Sequence, residues 1–233
     1  MNTLDKLQKS FPKSYRNGNV LLINADCMDV MKLIGDKEFC LACVDPPYGI
    51  GEDKTNRPSR GKTKTKPHLI KNWDSSPASK EYFNELLRVS KNQIIWGANH
   101  FADRLPCPQS PCWIVWNKLT AGNNADCELA YTSFKTAVRK FDFMWEGFWQ
   151  GDMKNKEQRI HPTQKPVKLY EWLLTNYAKK GQRILDTHLG SGSSAIAAHY
   201  FGVDFVGCEL DKDYFEAAKA RFDMATKQLA MSI

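Results

Sequence analysis

Seven short apolar runs punctuate the 233-residue chain: 20–24 (VLLIN), 40–44 (CLACV), 93–96 (QIIW), 112–116 (CWIVW), 127–134 (CELAYTSF), 183–186 (RILD) and 203–208 (VDFVGC). Their length, their β-branched and aromatic content and their polar flanks predict strands. Between several of them apolar residues recur at helical spacing. In 166–179, Pro166 suits a first turn, Tyr170, Leu173, Leu174, Tyr177 and Ala178 share one face, and Gly181 follows the end. A last helix over about 212–229 is capped by Asp211 and buries Tyr214, Phe215, Ala218, Phe222 and Ala225. Strands alternating with helices predict an α/β fold: a seven-stranded, mainly parallel sheet with helices on both faces.

The composition fits that picture and narrows the partners. Hydrophobic residues at 42% and charged residues at 25% are ordinary for a globular domain. No apolar run approaches the roughly 20 residues that a membrane helix requires. The first residues, MNTLDKLQKSFPKSYRNG, are polar and lack a signal-peptide core, so a cytoplasmic protein with no membrane partner is expected. Seven cysteines include a CLAC pair at 40–43, but no second pair completes a four-ligand set, so reduced core cysteines and no metal are expected. The net charge of +7 is concentrated. Lys54, Arg57, Arg60, Lys62, Lys64, Lys66 and Lys71 lie in one stretch rich in Pro, Gly, Ser and Thr. That is either a solvated segment or a phosphate-contacting loop, and its place directly after a candidate catalytic turn favours the second.

Residues 119–160 break the strand–helix rhythm, mixing Phe, Trp and Tyr with Lys and Arg, among them Arg139 and Lys140. Such a mixture serves equally as a hydrophobic flap over a core or as a surface that reads or wedges into nucleic acid. The chain thus divides into residues 1–118, a region 119–160 and residues 161–233.

Three stretches carry chemistry. In DPPYGIG (45–51) an apolar strand stops at a carboxylate, two prolines and a tyrosine. Proline cannot extend a ladder, so Asp45 and Tyr48 are delivered to the carboxyl edge of the sheet, where ligands of open α/β sheets gather. In RILDTHLGSGSSAIAA a strand ends at Asp186, and Gly190 and Gly192 open a helix of small residues. The glycines let backbone N–H groups approach a ligand, although a tight turn alone also needs glycine. A P-loop is excluded because the loop has no lysine; a dinucleotide-type loop survives with Ala195 at the third position. The next strand ends in Glu209, where an acid accepts hydrogen bonds from a ribose diol. Together these residues describe an adenosine-type cofactor pocket. In RIHPTQKPVKL, Pro162 and Pro166 explain a turn into a helix, whereas Thr163, Gln164 and Lys165 are more polar than a turn needs.

DPPYGIG, HPTQKPVKL, LDTHLGSGSSAIAA and VGCELD, in that order, resemble the amino-group DNA methyltransferases of the permuted β class, over about residues 19–225. The resemblance implies a circularly permuted Rossmann-like methyltransferase fold. It also implies S-adenosyl-L-methionine (AdoMet) as cofactor and double-stranded DNA as substrate, and it allows a homodimer. Asp45, Pro46, Pro47 and Tyr48 then match the catalytic motif, with Asp45 also against the cofactor. Asp186, Leu189, Gly190, Ser191 and Gly192 match the AdoMet loop, and Glu209 the ribose acid. Asp26, with Cys27 beside it in LLINADCMDV, matches the acid at the cofactor's adenine, and Thr163, Gln164 and Lys165 line its methionine end. His188 departs from the family's usual Phe and is expected as a stacked, neutral imidazole.

The residues account for such chemistry. An exocyclic amine is a poor nucleophile because its lone pair is delocalised into the ring. Asp45 and the Pro46 carbonyl can each accept one N–H and aim the lone pair at a sulfonium methyl, so catalysis rests on positioning and electrostatics. Tyr48 can stack on a base flipped from the duplex. C5-cytosine chemistry would need a thiolate; LPC at 105–107 and SPC at 110–112 lack the surrounding pattern. Adenine N6 is the expected target, with cytosine N4 the alternative. The rivals are a silent DNA-binding protein and an RNA or protein amide methyltransferase. The small recognition region, 119–160 with the 52–72 loop, points to a stand-alone modification enzyme of restriction–modification type.

Overall fold

The computed structural model describes residues 2–51, 74–120, 125–146 and 148–230. Nine strands form the main sheet: β1 (Ser14–Asn17), β2 (Val20–Asn24), β3 (Phe39–Val44), β4 (Ser90–Trp96), β5 (Trp113–Asn117), β6 (Cys127–Thr132), β7 (Arg139–Asp142), β10 (Arg183–Asp186) and β11 (Asp204–Glu209). Two short strands, β8 (Trp145–Glu146) and β9 (Trp149–Gln150), make a separate hairpin. The sheet order is β1-β2-β11-β10-β3-β4-β6-β5-β7.

All seven expected strands are present, with ends shifted by up to three residues, but the sheet has nine strands rather than seven. The two additions are edge strands, SYRN and RKFD. An edge strand with a solvated side needs no apolar run, so neither shows the pattern that reveals a buried strand. β1 is paired to β2 through a tight turn in which Gly18 takes φ +57°. The core of the sheet, β2-β11-β10-β3-β4, is parallel throughout; β6 runs antiparallel to both β4 and β5.

Alternation along each strand feeds two cores. Val20 and Leu22 face one cluster with Leu41, Trp96, Ile184 and Phe205; Leu21 and Ile23 face another with Phe39, Val44, Ile95 and Leu185. The first cluster is closed by α4 (Val167–Tyr177), α5 (Ser193–Phe201) and α6 (Lys212–Ala230), through Leu169, Ala197 and Phe222. The second is closed by α1 (Thr3–Ser10), α2 (Cys27–Lys32) and α3 (Lys80–Val89), through Leu7, Met31 and Phe83. α4 begins and ends within two residues of its expected bounds, and Asp211 caps α6 by accepting from the Asp213 and Tyr214 N–H groups at 2.9 and 3.0 Å.

β10 and β3 are neighbours although they come from opposite ends of the chain. From β3 the chain crosses to β4 on one side; from β10 it crosses to β11 on the other. This reversal is the switch point at which open α/β sheets hold ligands, and it sets Asp45 beside Asp186 at one edge.

Candidate active site

β3 ends at Val44, and Pro46 and Pro47 carry the chain out of the sheet after Asp45. The turn is fixed downstream by Asp74, whose Oδ1 accepts from the Gly49 N–H at 2.7 Å and whose carbonyl accepts from Gly51 at 3.2 Å. Tyr48 folds back so that its hydroxyl donates to Asp45 Oδ1 at 2.6 Å. Burial and the Asp45 charge push the Tyr48 pKa well above its usual value, so the phenol stays a donor. One face of the ring stacks on His100, with centroids 5.0 Å apart and planes at 15°.

Gly97, just past β4, makes room for that ring. It sits at φ +67°, and a Cβ there would stand 2.0 Å from Tyr48 Cε1. Gly97→Ala should therefore cost about 1–3 kcal/mol of stability and displace Tyr48. A thermal melt together with a rate measurement checks this: an alanine variant melting and turning over like the parent would show that the ring has slack.

The second oxygen of Asp45 meets a cation. Lys165, in the loop before α4 and 4% exposed, places Nζ 2.5 Å from Asp45 Oδ2, 3.0 Å from Glu128 Oε2 and 3.3 Å from the Tyr48 hydroxyl. Glu128, on β6, is held on its other oxygen by Lys118 at 2.6 Å. Burial opposes the charge on Glu128, but Lys165 and Lys118 outweigh it and hold the pKa down to about 2. Burial likewise works against the Lys165 ammonium, and Asp45 and Glu128 overcome it, so its pKa is raised. Two cations and two carboxylates thus form a balanced cluster at the end of β3.

The neighbouring edge is the glycine loop. Asp186 is buried and accepts from the His188 N–H at 3.0 Å and from Ser194 Oγ at 2.5 Å; burial still raises its pKa to about 6. Gly190 and Gly192 take φ +52° and +75°, the left-handed region that the turn into α5 requires. Glu209, at the tip of β11, closes the loop by accepting from the Gly190 N–H on Oε2 and the Asp211 N–H on Oε1, each at 2.9 Å. Burial lifts its pKa to about 7 against those two bonds. Asp26 caps α2 by accepting from the Met28 N–H at 2.8 Å, and burial beside it pushes the Cys27 thiol up to about 12, leaving it neutral.

Between these edges lies a cavity of about 690 Å³. Of the residues expected at the site, Asp26, Cys27, Asp45, Pro47, Thr163, Gln164, Lys165, His188, Leu189, Gly190, Ser191 and Glu209 line it. Asp186, Gly192, Pro46 and Tyr48 are not in the wall. Two of these polar groups are also engaged within the protein. The Gln164 amide is spent on backbone, accepting from Ile160 N–H at 3.0 Å and donating to the Gln158 carbonyl at 3.2 Å. The Lys165 ammonium serves Asp45. His188 is neutral, its pKa lowered to about 4 by burial, and it meets Tyr82 edge to face at 5.3 Å rather than in a stack.

Glu128, Lys118 and His161 carry no expectation from the sequence, and Tyr214, expected in the core of the last helix, is instead half-buried at the cavity. Tyr214 packs its ring 4.3 Å from His161, and both line the cavity. Glu128 left one signal: a charge inside the strand-like run CELAYTSF. The expected DNA-contacting residues Lys54, Arg57, Arg60, Lys62, Lys64, Lys66 and Lys71 lie outside the described residues. Arg139 and Lys140 are exposed on edge strand β7, where Lys140 pairs with Asp142 at 3.0 Å. In the β8–β9 hairpin Phe148 and Trp149 are 64% and 60% exposed. The hairpin is moored below by Trp145 Nε1 donating to the Gln164 carbonyl at 2.7 Å. Cys40 and Cys43, three apart on a strand, point to opposite faces of the sheet, and among the described residues no cluster of His, Cys, Asp or Glu could hold a metal. No helix among the described residues is long and apolar enough to cross a membrane.

The sequence matches the family model for DNA methylases of the N6/N4 type over residues 112–220. It is 25% identical to the type II methyltransferase M2.LlaDCHI of Lactococcus lactis subsp. cremoris over 90% of this chain and 91% of that protein. It is 26% identical to M2.DpnII of Streptococcus pneumoniae over 91% and 92%. In structure it is similar to the PvuII cytosine-N4-specific DNA methyltransferase, with TM-score 0.61 and 11% identity over 93% of this chain and 94% of that one. It is also similar to M1.HpyAVI in complex with S-adenosyl-methionine, with TM-score 0.55 and 18% identity over 87% and 99%. The fold is that of the DNA methyltransferases of known structure; the match to N6/N4 DNA methylases covers residues 112–220, and the similarity to type II methyltransferases covers about nine-tenths of the chain.

Proposed function

We propose that this protein transfers the methyl group of AdoMet to the exocyclic amine of a base in double-stranded DNA, adenine N6 in particular. One observation carries the reading: the carboxylate of Asp45 stands at the wall of the same cavity that the glycine loop and Glu209 form on the adjacent strands. An acceptor for an amine and a pocket for a nucleoside cofactor therefore share one space.

The cavity fits that cofactor by its own chemistry. Glu209 and Asp26 present acids to a ribose and an adenine, Leu189 gives an apolar wall, and Gly190 leaves its side open, since a Cβ there would come no nearer than 3.9 Å to His161. Bound AdoMet supplies an electrophilic methyl on a sulfonium. The chain supplies the rest: Asp45 and the Pro46 carbonyl accept the two N–H bonds of the amine, which localises its lone pair, and the prolines keep both acceptors in place. With His100 on one face of Tyr48, a flipped base would stack on the other face or take the place of His100. In this reading the recognition region lies in 119–160, where Phe148, Trp149, Arg139 and Lys140 offer aromatic and cationic contacts to the duplex, assisted by the basic loop.

Adenine rests on Asp45, because resemblance associates Asp at this position with adenine and Ser with cytosine. The likeness to a cytosine-N4 enzyme keeps the other base in view. Methylation of DNA with labelled AdoMet, digestion to nucleosides and mass spectrometry should place the label in N6-methyladenine. Label in N4-methylcytosine would reverse the base assignment alone; label in 5-methylcytosine would sink the mechanism.

A further inference from the structure

Both oxygens of Asp45 already carry a donor. Oδ1 accepts from the Tyr48 hydroxyl and Oδ2 from the Lys165 ammonium. Under the amine-methylation reading, on which this inference rests, the same carboxylate must accept an N–H from the target, and an ammonium at contact distance weakens it as an acceptor. Each oxygen keeps a second lone pair, but Asp45 accepts a neutral N–H most strongly when one of its present donors withdraws. Tyr48 is held by the stacked His100 ring and by close packing against Gly97. Lys165 is differently placed. It donates to Asp45 Oδ2 and to the Tyr48 hydroxyl, while Glu128 Oε2, 3.0 Å away, is buried with no hydrogen bond among the described residues, and Glu128 belongs neither to the DPPY turn nor to the cavity wall. Glu128 is partly buried, stands on β6 and is kept anionic between two lysines. A four-carbon stem lets an ammonium swing between two carboxylates without a change of backbone.

We infer that Lys165 is a place-holder for the target amine: it occupies Asp45 in the empty site and passes to Glu128 when the amino group enters. No proton moves in this handover. The ammonium gives up one hydrogen bond, keeps its pair with Glu128 and leaves the two-cation, two-carboxylate balance unchanged, while Asp45 Oδ2 becomes free for a neutral N–H. Lys165 and Glu128 are then positioning residues. The arrangement keeps Asp45 paired, and so not stranded as a lone charge, whenever no base is present.

A double-mutant cycle tests this with full-length protein, saturating duplex and saturating AdoMet, reading the single-turnover rate of methyl transfer and, separately, AdoMet affinity by calorimetry. Glu128→Gln should lower the rate about tenfold to a hundredfold while AdoMet affinity stays within about twofold. Glu128→Asp should recover part of the loss, and it replaces the glutamine variant should that one fail to fold. In a Lys165→Met background the same Glu128→Gln change should have almost no further effect on the rate, because the ammonium it receives has gone. A purely structural Glu128 would cost the same factor in both backgrounds. That result, or an unaltered rate in Glu128→Gln, overturns the handover. A parent protein that binds AdoMet yet methylates no DNA overturns the functional reading instead, and the handover falls with it.

Discussion

Asp45→Ala should reduce methyl transfer by about 10²–10³-fold or more while leaving AdoMet affinity within about threefold. In the proposed mechanism the loss is large because the side chain acts on the amine at the moment of transfer, when its lone pair must be turned toward the methyl. The fold should tolerate the change: Lys165 keeps Glu128 at 3.0 Å and the Tyr48 hydroxyl at 3.3 Å, so no buried cation is stranded. Single-turnover kinetics beside isothermal calorimetry separate the two quantities. A parallel collapse of AdoMet binding would mean that Asp45 belongs to the cofactor pocket and that the amine is held elsewhere.

Glu209→Ala should show the converse. Hydrogen bonds to a charged group contribute about 1.5–3 kcal/mol, so AdoMet affinity should fall roughly tenfold to a hundredfold, with the rate at saturating cofactor largely kept. The pH dependence has a definite sign. The free carboxyl titrates near 7, raised by burial from 4.5, and hydroxyl donors favour its ionised form. AdoMet affinity should therefore weaken as pH falls through about 7, and Glu209→Gln should flatten that limb. Without cofactor the linkage runs the other way. The folded state holds the Glu209 and Asp186 protons more tightly than the unfolded chain does, so their contribution is full at acid pH and is lost as pH rises through about 6 for Asp186 and about 7 for Glu209. Calorimetric titrations between pH 5.5 and 8.5 check both. A flat affinity profile in the parent would place the ribose away from Glu209.

Both variants rest on one geometric fact, the adjacency of β3 and β10. It sets the edge proposed to hold the amine beside the edge proposed to hold the cofactor, within one cavity of about 690 Å³. The cost of the arrangement is electrostatic: Asp45, Asp186 and Glu209 converge, and Asp45 adds to the upward shift of Asp186. Lys165 offsets part of this, lowering Asp186 while it pairs with Asp45.

Much of this was legible along the chain because the features concerned are local. Apolar runs mark the seven strands that are buried or flanked by neighbours, and helical spacing marks α4 and α6. Prolines after Asp45 and glycines after Asp186 announce turns whose backbone few other residues accept, so these positions could be read from residue type. Edge strands β1 and β7 could not, since a strand with one solvated side carries no run of apolar residues. Nor could the partners of long, flexible side chains. Lys165 lines the cavity from a motif that resemblance assigns to the cofactor's methionine end, and its stem also spans to Asp45 and Glu128, which reach it from β3 and β6. Periodicity and turn chemistry are set by residues within a few positions of each other, and the sequence alone determines them. Which charges meet at the end of a sheet is set by strand order, and strand order is decided only when remote segments pack.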